Sequence, residues 1–352
     1  MEIKATLDIH AELAQGCTYG ENPRQKPAAL YRKLGNDDPL AIHNFKVVAG
    51  NTPSFNNYCD IDRGLQTLTH IAASLHRNRR GKLLSIAIGM KHGNACGAAI
   101  WGGPSGALVE MAKGDPRALF GGMVMTNFPI TLGLAETLAY AGKAINEKQL
   151  FDVVVAPSFS EEAIEVLARK SGKCRLIVNP ALTNLTEESL AFEPRIRQVR
   201  GGFLVQPNYT FVLDLKDPAL VHYGFSPLTP NEEDDLLLAQ AIGSTSTSNT
   251  ITIVKDGQLI GNGVGQQDRV GCCELAIKRA RDAGHEVTGA VAYSDSFFPF
   301  PDGPTVLADA SISAILTSSG SLNDNLTQDV CNERGVQLLM FPDEFCRGFY
   351  GH

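Results

Sequence analysis

Two rhythms of apolar and polar positions alternate along the chain. Short β-branched runs of four to six residues read as buried strands, and apolar stripes at helical spacing follow them, which predicts α/β layers. DVVVAP (Asp152 to Pro157) is one such strand. Ser158 and Glu161 then have the spacing of a capping box, with Ile164, Leu167 and Ala168 on one helical stripe, before CRLIV (Cys174 to Val178) supplies another strand. The stretch from Ser313 to Phe341 repeats this order: strand, Gly/Ser turn, helix, strand.

Each unit is preceded by a second pair of similar pieces. GGMVMTNFPI (Gly121 to Ile130) resembles GAVAYSDSFFPF (Gly289 to Phe300), and LLSIAIGMKHGN resembles TSNTITIVKDGQ. The pattern predicts an internal repeat of two α/β domains, 1–178 and 179–352. The Pro- and acid-rich segment from Asp217 to Asp235 reads as a loop or boundary.

Composition narrows the classes. The 352 residues, 43% hydrophobic, suffice for two packed domains. A net charge of −7 and a pI near 5.6 give no overall attraction for nucleic acid. No apolar run is long enough for a membrane span, and the first residues, MEIKATLDIHAELAQG, lack a signal pattern, so a cytoplasmic protein is expected. The eight cysteines are scattered with no C-x-x-C, which reads as reduced thiols.

Candidate chemistry starts at GMKHGNACG (Gly89 to Gly97), where an apolar strand ends on Lys91 and His92. A histidine takes a proton near neutral pH and a lysine supplies a proton or a fixed charge, at the strand end where open α/β sheets bind ligands; such a pair is also common on plain surfaces. Gly93 and Gly97 are expected to leave room for a ligand. Ser248-Asn249 and GNGVGQQDRV (Gly261 to Val270) form a second cluster in which Arg269 can hold an anion, although the glycine spacing is not a dinucleotide fingerprint. In SDSFFPFPDG (Ser294 to Gly303) the two phenylalanines either stack on a planar ligand or plug an interface. A zinc deaminase is excluded: no glutamate follows His92 two residues on, and P-C-x-x-C is absent.

The ordered set YGENPRQ, SFNNYCDID, MKHGNACG, DPRALFGG, FDVVVAP, RQVRGGFLVQ, TSN, GVGQQDRV and SDSFFPF resembles the transformylase half of the bifunctional enzyme of late purine synthesis. That half is the 5-aminoimidazole-4-carboxamide ribotide (AICAR) formyltransferase; the IMP cyclohydrolase half has no counterpart in this sequence, which implies a freestanding transformylase. The resemblance implies duplicated cytidine-deaminase-like three-layer α/β domains without the zinc site, and a homodimer with active sites at its interface. It implies 10-formyl-tetrahydrofolate as cosubstrate, no catalytic metal, and neither nucleic acid nor membrane as partner. It makes His92 the catalytic base, Lys91 its partner and Asn249 the orienting amide. It places Tyr19, Gly121, Asp152, Asn249, Arg269 and Arg347 at the ribotide, and Val270, Phe297, Asp302 and Ser321 at the folate.

Departures from the family pattern fall on the phosphate cradle. Thr18 and Ser244 stand where the family has basic residues, Ser296 replaces an alanine, Pro301 an arginine, and Arg347 matches only across an insertion. Two other readings follow: formyl transfer to a different acceptor amine, or a ligand-binding paralogue without turnover.

Overall fold

A computed structural model describes residues 6–79, 84–142, 147–224 and 226–351. Strands β1 (Ala11–Cys17) and β2 (Ala28–Lys33) pair as a separate ribbon. The first half continues through β3 (Lys46–Ala49), α1 (Phe55–Arg79), β4 (Ser85–Lys91), β5 (Asn94–Trp101), α2 (Pro104–Lys113), α3 (Pro116–Leu119), β6 (Met123–Thr126), α4 (Leu132–Tyr140), β7 (Val153–Ala156), α5 (Glu161–Leu167) and β8 (Arg175–Val178). A second ribbon, β9 (Arg195–Val199) and β10 (Gly202–Gln206), precedes the other half. That half runs β11 (Val221–Tyr223), α6 (Pro230–Gly243), β12 (Ile251–Lys255), β13 (Gln258–Gly263), α7 (Arg269–Asp282), β14 (Val291–Ser294), α8 (Asp302–Asp309), β15 (Ala314–Ser319), α9 (Asp324–Arg334), β16 (Gln337–Pro342) and α10 (Asp343–Cys346).

One mixed sheet of 12 strands holds both halves, in the order β11-β16-β15-β14-β12-β13-β5-β4-β6-β7-β8-β3. From the join between β13 and β5 outward, each side has the same sequence of steps. A hairpin (β4–β5, β12–β13) pairs antiparallel with the next strand (β6, β14), two parallel strands follow, and an antiparallel edge strand (β3, β11) closes the side. The expected strands at 152–157, 174–178 and 313–341 are present.

Both sheet faces are covered, so a strand such as β7 (VVVA) is apolar on both faces rather than alternating. On one face α1 lays Ile61, Leu68, Ile71 and Leu75 against Leu236 to Ile242 of α6 and the sheet. On the other, α2, α4 and α5 cover the first half, and α7, α8 and α9 the second. Among the described residues no helix is long and apolar enough to cross a membrane.

Three expectations need correction. The cap of α5 is Ser160, whose side chain accepts from the Ala163 N–H at 3.2 Å, while the Ser158 carbonyl instead accepts from the Ile130 N–H. The segment 217–235 is only partly loop: it also holds edge strand β11 and the first turns of α6. There Pro230 occupies the first helical position and Thr229 with Glu232 forms a capping box, so the proline and acids are helix-start signals. Gly97 leaves no room for a ligand, because a Cβ there would lie 2.2 Å from the Met111 carbonyl oxygen of α2; Gly261, on β13, meets the Ala276 carbonyl of α7 in the same way at 2.4 Å. Both glycines let a helix backbone rest directly on the sheet.

Candidate active site

The β4–β5 connection is a two-residue corner. His92 and Gly93 both take left-handed conformations, φ 53° and 73°, the pattern of a tight hairpin turn that matches strand twist. The Asp60 side chain of α1 accepts the Gly93 N–H at 2.8 Å and anchors the corner. Burial pushes the Asp60 carboxyl above its ordinary range, against the Gly93 hydrogen bond and the charges of His92 and Arg63. His92 itself is exposed at the tip. Lys91 donates from Nζ to the Phe120 carbonyl at 2.7 Å, so its charge is fixed just before Gly121. The Gly122 carbonyl in turn accepts the Asp152 N–H at 3.0 Å, and the Asp152 carboxylate pairs with Arg169 at 3.1 Å. Lys91, Gly121 and Asp152 thus share one end of the sheet with His92.

The other half repeats this corner. Lys255, Asp256, Gly257 and Gln258 occupy the places of Lys91, His92, Gly93 and Asn94, with φ 52° at Asp256 and 73° at Gly257. Asp235 of α6 accepts both the Asp256 and Gly257 N–H groups, and Lys255 donates to the Thr288 carbonyl at 2.8 Å.

Asn94 joins the first corner to the second cluster. Its amide donates to the His92 carbonyl at 3.3 Å and its Oδ1 accepts the Thr247 N–H at 3.0 Å. Two residues on, Asn249 follows a cis Ser248–Asn249 peptide; it donates to the Gln266 carbonyl at 2.9 Å and accepts from Arg269 Nη2 at 2.8 Å. Arg269 also donates to Ser294 and to Asp295, whose side chain is fully buried; the Asp295 carboxylate accepts from Ser248 as well. Three of the five guanidinium donors are therefore spent inside the protein.

A cavity of about 860 Å³ opens beside this cluster and brings together Asn249, Arg269, Val270, Phe297, Asp302 and Arg347 of the expected residues. Arg347 packs 5.2 Å from the Phe297 ring centre and pairs with Asp343 at 2.9 Å. The two phenylalanines part ways: Phe297 faces the cavity, whereas Phe298 plugs no interface but is buried in the core of the second half against Gly303. Ser321 lies outside, in the β15–α9 loop, where its hydroxyl accepts the Asn323 N–H and Asn323 reaches back to the Pro299 carbonyl of the cavity wall. Tyr19 sits next to the β1 ribbon, its carbonyl accepting the Phe55 N–H. Tyr19, Lys91, His92, Gly121 and Asp152 do not line this cavity.

The departures have plain structural positions. Thr18 ties its hydroxyl to the Thr52 carbonyl at 2.6 Å, and Ser244 is fully buried at the end of α6. Burial holds the thiols of Cys96 and Cys272 at about 12, so they stay protonated and are not nucleophiles near neutral pH. All eight cysteines are free. Among the described residues, no three His, Cys, Asp or Glu side chains are grouped as metal ligands would be.

The model of the family described as "AICARFT/IMPCHase bienzyme" matches residues 1–279, about four-fifths of the sequence. The chain belongs to that family. Similar curated members include the bifunctional purine biosynthesis protein PurH of Cutibacterium acnes, 34% identical over 93% of this chain, and that of Bacteroides thetaiotaomicron, 33% identical over 91%. The chain spans 57% and 56% of those two proteins. A solved deaminase/reductase (diaminohydroxyphosphoribosylaminopyrimidine deaminase/5-amino-6-(5-phosphoribosylamino)uracil reductase) from Thermotoga maritima aligns with a TM-score of 0.22 at 18% identity, over 29% of this chain and 34% of its own, too little to carry an argument. Within the AICARFT/IMPCHase motifs, sequence reasoning missed Asp60 and Asn94, which hold the corner. Both stand inside quoted motifs, SFNNYCDID and MKHGNACG, but their task is visible only once α1, the corner and the Thr247 loop are in contact.

Proposed function

We propose that this chain transfers the formyl group of 10-formyl-tetrahydrofolate to the amine of AICAR, giving formyl-AICAR and tetrahydrofolate. The observation that carries the reading is the family match together with an exposed His92 on an anchored corner, flanked by a fixed lysine charge and tied through Asn94 to the Asn249 loop. The amine nitrogen bonds to the formyl carbon while its proton passes to His92. The resulting tetrahedral oxyanion collapses, the bond to the folate nitrogen breaks, and that nitrogen takes up the proton held by His92, with Lys91 assisting the transfer and supplying positive charge. The Asn249 amide orients the reacting groups; one such donor is typically worth about 100- to 1,000-fold. Tyr19, Gly121, Asp152, Arg269 and Arg347 serve the acceptor, and Val270, Phe297, Asp302 and Ser321 the folate. The matching strand order of the two halves supports a duplicated cytidine-deaminase-like arrangement divided near residue 178.

The same reading makes the protein a cytoplasmic homodimer whose sites are completed by a second copy. Its support is the separation of Tyr19, Lys91, His92, Gly121 and Asp152 from the cavity. The two ribbons add apolar surface for a partner, with Leu13 63%, Tyr31 61%, Phe203 53% and Leu204 60% exposed. Sedimentation should give twice the 37.8 kDa chain mass, and a monomer at micromolar concentration sinks the proposal.

A second acceptor is favoured by one observation: Arg269 and Arg347 are each paired with a carboxylate, and Thr18 is a neutral residue bonded to backbone. An acceptor without the phosphate fits that charge balance. Tetrahydrofolate release measured with the ribotide and with its dephosphorylated riboside separates the two. Turnover with the ribotide alone removes the second reading, and no turnover with either removes formyl transfer to this amine.

A further inference from the structure

Arg63 lies half-buried on α1, one turn past Asp60, and its guanidinium donates to carbonyl oxygens of three separate segments. Nε donates to Gly93 of the His92 corner at 3.0 Å, Nη2 to Thr245 at the end of α6 at 3.0 Å, and Nη1 to Tyr350. The last belongs to a strap, residues 347–351, that follows α10. Tyr350 is buried between two guanidiniums, Arg63 4.2 Å from its ring centre and Arg195 3.6 Å, and its hydroxyl donates to Asp62 at 3.1 Å. Its N–H donates to the Ser246 carbonyl at 2.9 Å. Upstream, the strap has no slack: a Cβ on Gly348 would lie 2.3 Å from Cζ of Tyr209, a half-buried ring whose hydroxyl donates to the Cys346 carbonyl. Arg347 and Phe349, on this strap, line the cavity.

We infer that Arg63 is a positioning residue for formyl transfer, fixing the His92 corner, which serves one site of the dimer, against the loop into Asn249 and the strap bearing Arg347 and Phe349, which serve the other. This rests on the reading of the site given above. A planar fork is suited to the task, since directed N–H groups on one rigid plane set the mutual position of three backbones, which a lysine point charge cannot do. Burial lowers the Arg63 pKa only to about 10, so the guanidinium stays charged near neutral pH. None of its three partners is a side chain, so the tie survives changes in their identity.

The test compares the parent chain with Arg63→Met, which keeps the aliphatic stem and removes every donor. Amide hydrogen exchange should quicken at least about tenfold at Thr247 and Tyr350, with Val154 and Ile315 at the sheet centre unchanged. In the formyl-transfer assay kcat should fall about 100-fold, the scale of a misplacement of about 1 Å, with each KM within about threefold. Gly348→Ala, which pushes the strap off Tyr209, should lower kcat in the same manner, and the double variant should be no worse than the worse single one. Unchanged exchange in Arg63→Met, a kcat that does not fall, or losses that multiply in the double variant overturn the inference. If Arg63→Met folds poorly, Arg63→Lys, which keeps the buried charge but not the fork, is measured in its place with the same expectations. A parent chain without turnover defeats the formyl-transfer reading, whereas the exchange arm still decides whether Arg63 holds the corner to the strap.

Discussion

Replacing His92 by asparagine should lower formyl transfer about 100- to 10,000-fold, the usual worth of a positioned acid–base group, while the protein still folds. Asparagine is the informative substitute because the corner demands φ 53°, a left-handed conformation that asparagine tolerates better than most residues. The ring is exposed, so its removal opens no cavity. The Asp60 bond to Gly93 and the Asn94 bond to the His92 carbonyl both use backbone groups that the variant keeps. Thermal melting should therefore shift little while initial rates of tetrahydrofolate release collapse. Near-parental turnover would remove His92 as the base, and a collapsed fold would mean that the ring does structural work the corner geometry does not predict.

Asp295→Ala should destabilise the fold by about 3–5 kcal/mol, the cost of leaving a buried charge without its partner. The Asp295 side chain is fully buried and that of Arg269 only 12% exposed, so water cannot replace the lost carboxylate. The damage spreads because Asp295 also accepts from Ser248, while Arg269 holds the Asn249 side chain. Urea unfolding should show the midpoint falling with the slope unchanged. Arg269→Met in the same background should recover part of the loss, because the orphaned charge is then gone. A destabilisation below about 1 kcal/mol would show that the pair is solvated in solution.

Much of the sheet was legible because buried strands of a covered α/β sheet are continuous apolar runs, as in VVVA of β7 and AILT of β15. The edge strands β3 and β11 were not, being only four and three residues long with exposed side chains. The helix start at Thr229 was misread through residue type: proline and acids signal a turn and a first helical turn alike, and the packing of Leu236 to Leu238 decides between them. Lys91 and His92 stood out by chemistry and their place at a strand end. Asp60, Asn94 and Arg63 did not, since each acts on backbone atoms remote in sequence, Arg63 at separations of 30, 182 and 287 residues. Gly97 was read as space because sequence cannot distinguish a glycine that admits a ligand from one that admits a helix.

The twin corners at residues 91–94 and 255–258 separate scaffold from chemistry. An aspartate on the facing helix fixes each turn by holding backbone N–H groups, and each lysine is clasped to a carbonyl, so neither anchor touches the side chain at the tip. That tip is an open socket: one copy displays an imidazole, the other a carboxylate, on the same peptide frame. A substitution there rewrites the reactive group without re-engineering its mount, so the two halves of one chain can diverge in chemistry while remaining interchangeable in architecture.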